Sequence, residues 1–217
     1  MWIIKINAIT NVIAFIIGII QYRYFTKELK YIFYFVAFGV ITEIYSKFHL
    51  NYIMKNAMPI GHVYFPVAFL ILGLYYLQVL KNFIDYKFII ITIVVYEVYS
   101  IINSLFIQSV FDFASLVGAI GAMILFLFSV AFFTKIMVEA KIQKLSKDPL
   151  IWINTAILIY YTGNFFYYSL YNLRINSSLE VFLFSAKLFS VLNMIFYLII
   201  IIGFLIVKRE PAVLQRK

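Results

Sequence analysis

The chain has 217 residues, of which 65% are hydrophobic, 20% aromatic and 12% charged. Soluble domains carry about 25% charged residues, so this composition excludes a soluble fold and makes lipid the solvent for most of the surface. A net charge of +9 would suggest nucleic acid on a soluble protein, but here the basic residues sit in short connecting stretches, as topology and contact with anionic lipid require.

Cysteine is absent, which rules out disulfides, thiolate metal sites and cysteine nucleophiles. The length leaves room for one polytopic all-α domain of seven spans at roughly 25–30 residues per helix and loop. The first predicted helix covers 6–21. The apolar run from Ile9 to Ile20 is followed by the sequence QYRYF with no small-residue cleavage site, so it reads as a span and not as a cleaved signal. Helix 2 is expected at 31–46 and helix 3 at 59–80, opened by Pro59 and bent at Pro66. Helix 4 is expected at 88–105, helix 5 at 113–134, and helix 6 at 149–171 with Asp148 as its cap. Helix 7 covers 179–207, where Lys187 is the one charged residue between Val181 and Val207. Ser177 and Glu180 ahead of it fit a capping box.

Alternate ends of these helices differ sharply in charge. One side holds Arg23, Lys27, Lys30, Lys81, Lys87, Lys135, Lys141, Lys144, Lys147, Lys208, Arg209, Arg216 and Lys217. The other holds Lys5, Lys47, Lys55 and Arg174. The basic side is cytoplasmic by the positive-inside rule, which puts the N-terminus outside and the C-terminus inside. Trp2 and Trp152 then fall near opposite interfaces. Ala114, Gly118, Gly121 and Ala122 form a small-residue face that predicts close internal helix packing. Helices 1–3 and 5–7 share an orientation, with helix 4 as connector. This 3+1+3 plan occurs in transporters built from parallel repeats.

Ionisable residues inside a bilayer are functional candidates by default. Glu43, His62, Glu97, Asn164 and Lys187 all map to the middle or outer half, and the inner half is mostly Ile, Leu, Phe and Val. They predict an outward-facing ligand-binding pocket, with Lys187 facing inward within reach of Glu97, Glu43 or an acidic ligand group. Each also has a plainer role. Glu43 and Lys47 are an i,i+4 pair. His62 can be a packed, hydrogen-bonded histidine. Glu97 and Lys187 can be a buried ion pair or a snorkelling lysine. Dinucleotide, Walker A and zinc-protease motifs are absent. The two histidines lie far apart in sequence, which disfavours zinc. No catalytic residue, metal or cofactor is expected.

The segments PIGHVYFP at 59–66, DPLIWINT at 148–155 and LIYYTGN at 158–164 resemble small bacterial seven-helix membrane proteins of uncharacterised role. Those proteins are similar to the membrane input modules of some histidine kinases. The resemblance implies a bacterial inner-membrane sensor whose partners are the lipid bilayer and a separate cytoplasmic or membrane effector, because no kinase follows helix 7. It carries over no catalytic residue. The sequence therefore supports a sensor-like binding protein first and a small transporter or channel second. A lipid enzyme or a structural subunit follows these.

Overall fold

The computed structural model describes residues 2–139 and 145–207, with side chains from Asn7 onward. The side chains of Trp2 and Lys5, together with Lys141, Lys144 and the basic residues after Val207, lie outside what is described. Every regular element among the described residues is helical.

Helix α1 is Trp2–Gln21, and a short 3-10 turn over Tyr22–Tyr24 leads to α2, Lys27–Tyr52. The second helix is longer at both ends than the sequence reading gave. No glycine or proline lies between Gly39 and Pro59, so nothing in the expected loop after Ser46 stops the helix. The turn is shorter than expected because Phe25 packs inside, 4.7 Å from the Phe204 ring. Helix α3, Met58–Val79, continues unbroken through Pro66. Helix α4, Tyr86–Ile102, runs on as a π-helical turn over Asn103–Ile107. Asp85 caps α4 by accepting the Lys87 N–H at 2.9 Å.

Helix α5 is Ser115–Glu139 and α6 is Pro149–Ser169. The Asp148 side chain caps α6 through the Leu150 N–H at 2.8 Å. Burial pushes its carboxyl above the usual range, opposed by hydrogen bonds from the Leu150 and Ile151 backbone. The expected turn after α6 holds a short helix, α7, Tyr171–Ile175, before α8, Leu179–Leu205. The cap of α8 is Ser178, whose oxygen accepts the Val181 N–H at 3.4 Å. Ser177, the predicted cap, instead donates to the Arg174 carbonyl at 2.6 Å.

Six helices close a ring in the order α1, α2, α3, α5, α6, α8, and α4 packs outside it, mainly on α3. Helices α2, α3, α5 and α8, and the segment Tyr86–Ile107, are long and apolar enough to cross a membrane. Large apolar side chains cover the outer surface, as on α4 at Ile91, Val94, Val95 and Val98. Such a surface is stable when lipid faces it.

The core is not uniform along the ring axis. At the end where α1, α5 and α8 finish, Phe25, Phe35, Leu72, Ile200 and Phe204 are fully buried. A polar node sits among them. Asn154, with 0% exposure, donates to the Tyr75 hydroxyl and to the Leu150 carbonyl. Ser129 donates to the Asn154 backbone oxygen at 3.0 Å. The node joins α3, α5 and α6.

The Lys135 ammonium donates to the carbonyls of Val79 at 2.7 Å and Lys81 at 2.9 Å. A cation at a helix C-terminus is favourable, and these bonds close the end of α3. Replacing Lys135 with Met is expected to cost about 1.5–3 kcal/mol, the usual range for hydrogen bonds from a charged group. Thermal unfolding in detergent checks this, and Lys135→Arg should retain part of the loss.

Candidate functional site: an axial pocket

The opposite end of the ring is open. A cavity of about 430 Å³ lies on the ring axis, and all six ring helices or their immediate ends line it. Helix α4 contributes nothing. On four of the helices the lining follows one rule: residues four apart face the axis. Asn7 and Asn11 do so on α1, Gly39 and Glu43 on α2, and Gly61 and Phe65 on α3. On α8 the series is Phe189, Asn193 and Tyr197.

Hydrogen bonds fix the polar wall. The Asn193 amide donates to the Asn7 oxygen at 2.8 Å, tying α8 to α1. The Asn11 amide approaches Glu43 Oε2 at 3.4 Å, and Lys47 donates to Glu43 Oε1 at 2.9 Å. A Cβ built on Gly39 would lie 3.0 Å from the Tyr197 hydroxyl and 3.8 Å from the Asn11 amide. Both groups therefore sit one turn below Glu43. The remaining walls are aromatic. Tyr64 stacks on Phe38 at 5.6 Å, and Phe65 meets both Phe113 and Tyr168 edge-on, at 5.9 and 5.3 Å. Towards the bundle centre the cavity gives way to a void of about 20 Å³ that shares Tyr64, Phe65, Tyr160 and Tyr168 with it. That is room for a single water.

The loop over Phe113 is pinned from three sides. His62, buried on α3, contacts the Ser104 hydroxyl at 2.8 Å and the Asp112 carbonyl at 3.0 Å. The Asp112 carbonyl only accepts, so Nε2 donates to it; the Ser104 hydroxyl donates to the Ser100 carbonyl at 2.9 Å. Asn56 donates to the Phe111 carbonyl at 2.9 Å. Gln108 bridges Asn103, Ser115 and the Leu116 N–H, joining the π turn to the start of α5.

Of the five residues singled out in the sequence, Glu43 alone lines the cavity. His62 holds the loop beside it. Asn164 is fully buried on α6, one turn from both Tyr160 and Tyr168, and neither amide atom has a hydrogen-bond partner. Glu97 is half-buried on α4, outside the ring, with Oε1 unpartnered.

Lys187 is a correction. It is exposed, lines no part of the cavity and forms no ion pair among the described residues. Lys187, Ser190 and Asn193 step by three residues along α8. Each such step falls about 60° short of a full turn. Asn193 therefore reaches the axis and Lys187 lies about 120° around the helix. It sits about 12 Å of helix rise from Leu179, close enough to an end for its ammonium to snorkel.

Sequence reasoning missed Arg174. It was counted as a loop charge, yet it is 8% exposed. Its guanidinium lies 3.5 Å over the Tyr167 ring and donates to Ser185 at 3.2 Å. Tyr167 in turn stacks on Phe189 at 4.4 Å, and both rings line the cavity. Arg174 thus braces one cavity wall from behind. Among the described residues, no group of three or more His, Asp or Glu gathers as a metal site would need.

No family model matches the chain, and neither a curated protein nor a solved structure matches it.

Proposed function

We propose that this is a seven-span bacterial inner-membrane protein that binds a small ligand in the axial pocket and passes the event to a separate effector. The carrying observation is that one pocket touches five of the six ring helices and, at Phe113, the segment leading into the sixth, all at a single end of the ring. A ligand there contacts α1, α2, α3, α6 and α8 and the segment leading into α5. It can therefore shift their arrangement by the difference in its affinity for two states. The charge asymmetry favours placing the pocket end outside. Helices α1 and α6 complete the seven spans by packing between the apolar ones.

Transport is the second reading, and ring order favours it. If α1, α2 and α3 correspond to α5, α6 and α8, the contact of α3 with α5 matches that of α8 with α1. Helix α4 is then the connector of a 3+1+3 plan. Against it, the cavity at the α3–α4 loop, which includes Gln78, Lys81 and Tyr86, shares no lining residue with the axial pocket.

The absence of cysteine makes accessibility labelling clean. Ser46→Cys at the pocket mouth should react with an impermeant thiol reagent on intact cells, and Lys81→Cys only after permeabilisation. The reverse pattern overturns the orientation. A Tyr64→Cys variant that reacts from the cytoplasmic side during ligand exposure would decide for transport.

A further inference from the structure

The walls of the pocket have an unusual chemical balance. One acidic side chain, Glu43, faces the cavity, and the lining contains no Lys, Arg or His. Around it stand the rings of Tyr64, Phe65, Tyr160 and Tyr197. Their faces are negative by quadrupole and attract cations. Asn7, Asn11 and Asn193 offer neutral hydrogen-bonding groups beside the carboxylate, and the Asn11 oxygen is buried without a partner. We propose that the ligand is an organic cation, an amine or quaternary ammonium carried on an apolar body. This rests on the reading of the cavity as a binding site.

Two charges already near the pocket sharpen the assignment. Lys47 holds Glu43 Oε1, but its side chain is 64% exposed at the rim. An exposed i,i+4 pair is weak, and a desolvated ligand ammonium competes with it on better terms. Arg174 lies over Tyr167, so that ring is engaged. The cation therefore lies on the α2 side, between Glu43 and the Tyr64 and Tyr197 rings. An anionic ligand would face the carboxylate with no basic group in the lining to offset it.

The test uses purified full-length protein with benzyltrimethylammonium, benzyl alcohol and phenylacetate as cationic, neutral and anionic probes of similar size. Thermal stabilisation and calorimetric titration are read for each. The cation should stabilise the protein at millimolar concentration, and the other two should not. Glu43→Gln should lower cation affinity at least tenfold. Gly61→Leu fills the cavity from α3, where an added Cβ meets nothing closer than Phe65 at 3.8 Å. It should fold with an unchanged melting temperature and lose binding.

Equal binding of all three probes, abolished by Gly61→Leu, would leave the pocket standing and overturn the cation. Cation binding undiminished by Glu43→Gln, or no stabilisation by the cation at all, would also overturn it. Cation binding that survives Gly61→Leu would place the site elsewhere and remove both readings.

Discussion

Gly121→Ala is expected to lower stability by about 1–3 kcal/mol, the usual cost of overpacking a filled core. The added methyl would lie 2.6 Å from the Tyr96 hydroxyl and 3.0 Å from the adjacent ring carbon. Tyr96 has little freedom to yield. Its ring is 3% exposed and stacks on Phe69 at 3.8 Å. Its hydroxyl donates to the Val117 carbonyl at 3.1 Å. This contact seats α4 against the ring. Removing the hydroxyl by Tyr96→Phe costs one hydrogen bond, about 1 kcal/mol, and opens the worst of the overlap. Gly121→Ala in the Tyr96→Phe background should then cost about half its original amount, a coupling expected of residues in contact.

Gly61→Ala is the control. The same methyl is added in a helix, but it points into the open cavity. It should be neutral or stabilising by up to about 1 kcal/mol through helix propensity. Thermal unfolding in one detergent measures all four variants. Equal losses at the two glycines would exclude a close α4–α5 seam at Gly121.

These two glycines also mark how far the sequence could be read. Composition alone forces helices in lipid, and the small residues of α5 announce close packing. What faces them is not legible, because Tyr96 comes from a helix with no contiguous pattern linking it to Gly121. The pocket was partly legible. Glu43 stood out by charge. The decisive signal was the spacing of four repeated on α1, α2, α3 and α8, and it includes apolar and small residues such as Gly39 and Phe65 that draw no notice by type. Lys187 drew notice by type and lacks the spacing. Glu97 belongs to the one long helix outside the ring, and ring order is a long-range property that hydropathy does not carry. Helix ends were misjudged where polar residues continue a helix past the apolar run, as at the end of α2.

Arg174 carries the second large effect. A guanidinium that is 8% exposed, with Nε unpartnered and no carboxylate paired to it among the described residues, has lost most of its hydration. Desolvation alone would make it a liability, and an apolar replacement of similar volume would then stabilise the protein. The opposing terms are the Tyr167 ring at 3.5 Å and the Ser185 hydroxyl at 3.2 Å. A desolvated cation–π contact is worth about 2 kcal/mol or more, and a charged hydrogen bond about 1.5–3 kcal/mol. Together they exceed the cost of one unpartnered N–H, about 1–3 kcal/mol. Arg174→Met is therefore expected to destabilise by about 2 kcal/mol, the residue of those terms. Arg174→Lys should recover little, because an ammonium neither stacks flat nor presents a planar fork. Tyr167→Phe keeps a ring for the stack and should stay near wild type, whereas Tyr167→Leu should cost as much as Arg174→Met. The double variant Tyr167→Leu with Arg174→Met should cost little more than either alone. Because Tyr167 and Phe189 form one wall of the cavity, the same variants should weaken ligand binding. A stable Arg174→Met protein with full binding would mean that desolvation outweighs the stack and that the wall stands without it.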